Sequence, residues 1–115
     1  NNSKALKNLE IIEAFDDLIS YFKEQGVYEQ FKEEMDFLIT DHIAVATITR
    51  VVLSGADEKK SVLEKLQSYI SGFDGLYNNK YLPFLGFNKR LILFFNRNKL
   101  YFLTNLCMKI KEKIS

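Results

Sequence analysis

Five groups of side chains in this sequence carry reactive or charged chemistry. They are the single His42, the single Cys107, the isolated cation Arg50, the acid runs Asp16-Asp17 and Glu33-Glu34-Asp36, and the cation pair Lys89-Arg90. An imidazole acts as a general base only with a nucleophile or substrate in hydrogen-bond reach, and no Ser/His/Asp order accompanies His42. No second His or Cys stands three or four residues away, so no zinc site is expected. His42 falls on an apolar helical stripe and is expected to be a core or half-buried structural histidine. Cys107 alone excludes an internal disulfide, fits a reducing compartment and reads as a small buried hydrophobe. Neighbouring carboxylates on a helix point in different directions, so both acid runs are expected to be solvated faces. No Gly-rich phosphate loop or zincin motif occurs. The sequence therefore offers no catalytic residue and no metal ligand.

The cations are more informative. Arg50 is the lone charge in an apolar run and must pair with an acid or reach outward, because an unpaired buried guanidinium is very costly. With His42 it is expected to form a structural polar core. Lys89 and Arg90 fall at the start of a helix, where the dipole disfavours positive charge. An anion met by free backbone N–H groups and both side chains would compensate, with Lys80 and Arg97 joining. The alternative is that Lys89 and Arg90 are solvated or pair with the chain's own acidic body. Residues 1–75 hold 8 Lys/Arg against 14 Asp/Glu, a net of −6, whereas residues 76–115 hold 8 against Glu112 alone, a net of +7. An acidic body is thus joined to a basic, aromatic tail, which also carries Lys109, Lys111 and Lys113. Such blocks mark surfaces for phosphates or anionic lipid. Nucleic acid is not expected, because no recognition motif occurs and the acidic body would repel phosphates.

Elements that position these groups follow from apolar spacing. Leu9, Ile12, Phe15, Ile19 and Phe22 predict a helix over 4–25, stopped by Gly26 in the left-handed region. Tyr28 to Leu53 predict a second helix, apolar nearly all round in its second half and so central. Its β-branched run is the one competing strand signal. Asp57 reads as the N-cap of a third helix carrying Val62, Leu63, Leu66, Tyr69 and Ile70. An aromatic connector over 73–87 packs on the bundle with one helical turn near 78–84. Asn88 reads as the cap of a fourth helix, Phe87 and Ile92 as its hydrophobic staple, and Asn96-Arg97-Asn98 as a break. A last helix aligns Leu103, Leu106, Ile110 and Ile114, read as core, with an interfacial or partner-docking face as the rival. The expected fold is all-α, a single helical domain of four to five helices over 1–115. No run spans a membrane, for which about 20 apolar residues are needed. The start Asn1-Asn2-Ser3, without Met, is expected to mark a piece of something longer.

The run from Asp17 to Leu38, containing Tyr21-Phe22-Lys23, Gly26-Val27-Tyr28 and a Glu-rich helix, resembles the helical region after the catalytic domain of bacterial family 2 glycosyltransferases. His42, the apolar run and Arg50, then Asn79-Lys80-Tyr81-Leu82 and Phe87-Asn88-Lys89-Arg90-Leu91, are similar to later elements of that region. The resemblance implies a parent enzyme that uses a nucleotide-sugar, and a divalent metal held by Asp-x-Asp, to build cell-surface glycans. No residue of this chain matches that motif. What is implied here is a non-catalytic accessory region, without a cofactor of its own, at the inner face of the cell membrane in the cytoplasm. Its expected partners are its own N-terminal catalytic domain, a second copy, or an anionic membrane surface. A stand-alone dimerisation module is the alternative.

Overall fold

The computed structural model describes residues 6–55 and 57–114. Among them the order is α1 (Glu10–Glu24), α2 (Lys32–Ile39), a π-helical segment (Thr40–Thr47), α3 (Ile48–Leu53), α4 (Lys59–Ile70), a 3-10 turn (Leu82–Phe84), α5 (Phe87–Arg97) and α6 (Tyr101–Ile114). The fold is all-α, five helices packed as a bundle, because α2, the π segment and α3 run on as one rod. No strand occurs among the described residues. Residues 4 and 5, the expected start of the first helix, lie outside them.

The rod is the centre. Ile39, Ile43, Ile48 and Val51 are fully buried, and α1, α4, α5 and α6 pack around them through Phe15 and Ile19, Leu66 and Ile70, Ile92 and Leu93, and Thr104. Length and upstream periodicity thus override the β-branched run. The period itself changes midway. Buried positions step Met35, Ile39, Ile43, Ile48, Val52, a spacing of four, four, five and four that follows the wider turn of i→i+5 bonding. The stripe expected from the sequence would bury Leu38, His42 and Ala46 as well. All three are exposed, which corrects the placement of His42 in the core.

Two helix ends close with left-handed residues. Gly26 (φ 72) ends α1 as expected, its N–H going to the Lys23 carbonyl and that of Val27 to Phe22. Lys99 (φ 59) does the same after α5, with Lys99 N–H to Asn96 and Leu100 N–H to Phe95. The break therefore lies past Asn98, and Asn96 is helical and buried. Because a side chain in this conformation costs about 1 kcal/mol or more relative to glycine, Lys99→Gly should raise the urea midpoint by the equivalent of about 1 kcal/mol. An unchanged midpoint would show that the Lys side chain contributes as much as the strain removes.

Two other expected caps move, one by a single residue and one by two. Helix α4 begins at Lys59 after Glu58 rather than after Asp57, and α5 begins at Phe87 after an extended Gly86, with no side-chain cap bond at either. Asn88 is thus inside α5. Phe87, 74% exposed, points away from the core and forms no staple with buried Ile92.

The connector is anchored as expected, through Leu76, Leu85 and a polar set. Asn79 Nδ2 donates to the Gly75 carbonyl (3.1 Å) and its Oδ1 accepts the Tyr81 N–H (3.0 Å). The buried Thr40 hydroxyl lies 2.8 Å from the Leu76 carbonyl oxygen. Asp36 is 2% exposed, not solvated, and pairs with Lys32 at 3.1 Å. Lys32 also meets Asp74 at 3.1 Å, and these two hydrogen bonds, to Asp74 and Asp36, hold its ammonium well above the usual range. Gly75 lies hard against Asp36, so that an added Cβ would sit 2.2 Å from Oδ2.

Candidate functional site: the basic and apolar C-terminal hairpin

Helix α6 packs on α3 and α5 but fully buries only Thr104. Its outward residues fall every four positions: Phe102 (70% exposed), Leu106 (52%), Ile110 (52%) and Ile114 (81%). This corrects the expectation that Leu106, Ile110 and Ile114 form core. Leu103 and Cys107 are half-buried on the inner side. Lys109, Lys111 and Lys113 are all exposed beside the stripe. Helix α5 offers a second such face in which Phe87, Arg90, Phe94 and Arg97, spaced three, four and three, are all exposed. The antiparallel pair α5–α6 thus presents aromatic and aliphatic side chains interleaved with cations. Sequence spacing shows that α6 is amphipathic; only the packing decides which side faces the core.

The seven cations expected to form an anion or membrane surface do not converge. Lys80 sits over the Tyr81 ring (5.4 Å to the centroid), and its backbone N–H reaches Glu33 Oε2 at 3.4 Å. The neighbouring Tyr81 hydroxyl donates to Glu34, which holds the Glu34 carboxyl below its ordinary range. Lys89 Nζ meets Asp41 Oδ1 at 3.3 Å. Lys80 and Lys89 therefore lie against the acidic body. Arg90 and Arg97 share a trough of about 270 Å³ with Tyr77, Pro83 and Phe94, in which the Arg97 guanidinium stacks 4.2 Å from the Tyr77 ring centroid. Lys111 shares a groove with Arg50 and Lys89. Arg50 is exposed and donates to Asn8 Oδ1 at 3.1 Å. It reaches outward rather than forming a polar core with His42, whose exposed ring lies 6.3 Å from that of Phe15.

The buried polar centre is instead Asn96, 1% exposed. Its Nδ2 donates to the Ala44 carbonyl (2.9 Å) and to Thr49 Oγ1 (3.2 Å), and Thr104 Oγ1 donates to its Oδ1 (2.7 Å). The reason lies in the rod. At the π-to-α junction the backbone N–H groups go to the Ile43 and Val45 carbonyls, and the Ala44 carbonyl between them takes Asn96. Gln67 Nε2 extends the set to the Asn96 carbonyl and the Tyr101 hydroxyl, both at 2.8 Å. The lone Asn in an apolar helix face was its only sequence signal.

A groove of about 960 Å³ lies between α4 and the α5–α6 turn and is lined by Leu63, Gln67, Tyr77 and Tyr101 with Lys59, Lys60, Arg97 and Lys99. Asp57 and Glu64 line it too. Burial raises both Tyr77 and Tyr101 above the usual phenol range. Among the described residues no group of three His, Cys, Asp or Glu could hold a metal ion, and no helix is long and apolar enough to cross a membrane.

Fold and surface together define a helical bundle with an unpartnered basic and apolar hairpin. No protein-family model, curated protein or solved structure matches the chain.

Proposed function

We propose that this chain is a non-catalytic helical accessory module that holds a longer enzyme against an anionic membrane surface. The observation that carries this is the exposed stripe Phe102, Leu106, Ile110, Ile114, flanked by Lys109, Lys111 and Lys113, in a stretch, 76–115, with Glu112 as its one acid. A helix of that kind lies in the headgroup plane, its apolar side in the acyl boundary and its lysines on anionic heads. The short motifs shared with the region after the catalytic domain of family 2 glycosyltransferases support a parent of that class. The sugar transfer, the metal and the nucleotide-sugar would then belong to that enzyme's catalytic domain.

Vesicle co-sedimentation tests the proposal. Binding to phosphatidylglycerol vesicles but not to phosphatidylcholine is expected, falling as salt rises. Each lysine at such a surface is worth about 1 kcal/mol, so Lys109→Gln with Lys113→Gln should weaken binding roughly thirtyfold. Equal binding to both vesicle types, or none to either, removes the membrane role.

A second reading, self-association, has its own observation. The acidic body, residues 1–75, also exposes Tyr21 (57%), Phe31 and Leu38, so a basic hairpin could seat on the acidic body of another copy. Light scattering separates the two. A monomer that binds vesicles supports membrane docking, and a salt-sensitive oligomer supports the dimerisation module.

A further inference from the structure

The groove between the rod and α6, about 460 Å³, differs in chemistry from the larger groove beside α4. Its lining is mainly apolar, with Val45, Ala46, Ile92, Met108, Ile110 and Ile114 beside Thr49, Asn88 and Cys107. No aromatic ring and no carboxylate lines it, and its three charged residues, Arg50, Lys89 and Lys111, are all cations. The 960 Å³ groove, by contrast, has two tyrosines and two acids. Lys89 is partly neutralised by Asp41 (3.3 Å), whereas Arg50 donates to the neutral Asn8. Its volume lies within the range of small-molecule sites, which runs from about 300 to 1,000 Å³, and Met108 supplies an adaptable side chain.

We propose that this groove binds one molecule of a free fatty acid, the alkyl chain lying along Val45, Ile92, Met108 and Ile110 and the carboxylate met by Arg50 and Lys111. Charge complementarity fixes the sign of the head group. The aliphatic lining favours a linear chain over a ring, and the size admits one chain. The inference goes beyond membrane apposition, which needs only the outward stripe. Ile110 and Ile114 serve both surfaces, so occupancy of the groove would change what α6 offers to a bilayer.

Calorimetry and methyl NMR with octanoate, decanoate and dodecanoate, below their micelle concentrations, test it on the full chain. Binding at one site per chain is expected, tightening about two- to fourfold per added methylene, with shifts at Val45, Ile92, Met108 and Ile110. Alkyltrimethylammonium ions of equal length should bind about tenfold or more weaker. Arg50→Gln with Lys111→Gln, both exposed positions, should erase that preference and leave the weak binding of a neutral alkyl maltoside unchanged. Ala46→Phe should fill the groove and abolish binding, and circular dichroism checks its fold. If Ala46→Phe does not fold, the charge variant alone decides. Equal affinity for anionic and cationic heads, or shifts confined to Leu106 outside the groove, overturns the proposal. So does concentration-dependent broadening of the groove methyls without ligand, which would give the face to a second copy. Vesicle binding without carboxylate binding sinks this inference alone; carboxylate binding without vesicle binding sinks only the membrane role.

Discussion

Asn96→Leu is expected to cost about 3–5 kcal/mol of stability and to lower the melting temperature by roughly 12–20 °C. The residue is 1% exposed and serves three other buried groups, the Ala44 carbonyl and the Thr49 and Thr104 hydroxyls. Leucine keeps the helix propensity and much of the volume but leaves all three without this partner, at about 1–3 kcal/mol each for those that find no other. A domain of this size has only about 5–15 kcal/mol in total, so the variant should sit near the edge of folding. Urea denaturation measures it. Thr104→Val, which removes one hydroxyl and leaves the rest of the set, should cost about 1 kcal/mol. A loss under 1 kcal/mol for Asn96→Leu would show that the Ala44 carbonyl finds another donor and that the network does not hold α5 to the rod.

Gly75→Ala is expected to cost about 2–4 kcal/mol, by overpacking and by displacing a buried charge. The new methyl carbon would sit 2.2 Å from Asp36 Oδ2 and 3.1 Å from Cγ. Asp36 has little room to turn, because it is 2% exposed and its carboxylate is tied to Lys32 at 3.1 Å. The contact identifies the cause through a double-mutant cycle. In an Asp36→Ala background the clash is gone, so Gly75→Ala should become nearly neutral. If the two substitutions add instead, the cost comes from the backbone at position 75 and not from the carboxylate.

These two positions show what the sequence does and does not disclose. The central rod was legible because an apolar face all round, from Ile43 to Leu53, can only be covered by neighbours. Gly26 was legible because glycine is the cheapest left-handed stop. Lys99 was not, since a lysine in that role carries no local signature and its cost is met by the Schellman bonds to Asn96 and Phe95. His42 lies with Leu38, Ala46 and Arg50, four residues apart, on the exposed edge of the rod, and where the buried step lengthens from four to five the Ala44 carbonyl is taken by a distant side chain. Asn96 looked like loop material for that reason. Asp36 read as one acid among several because Gly75, the residue that makes room for it, lies 39 positions away. The basic hairpin was visible in charge and period, but whether α6 turned its greasy side inward depended on how much of the rod was already covered by α4 and α5.

The π segment has one more consequence. The chain spends a surplus residue inside its central element, and that surplus sets the azimuth of everything after Thr47. The Ala44 carbonyl at that wide turn is the one Asn96 holds, so the seat of α5 on the rod is fixed deep in the interior by one extra step in a winding staircase.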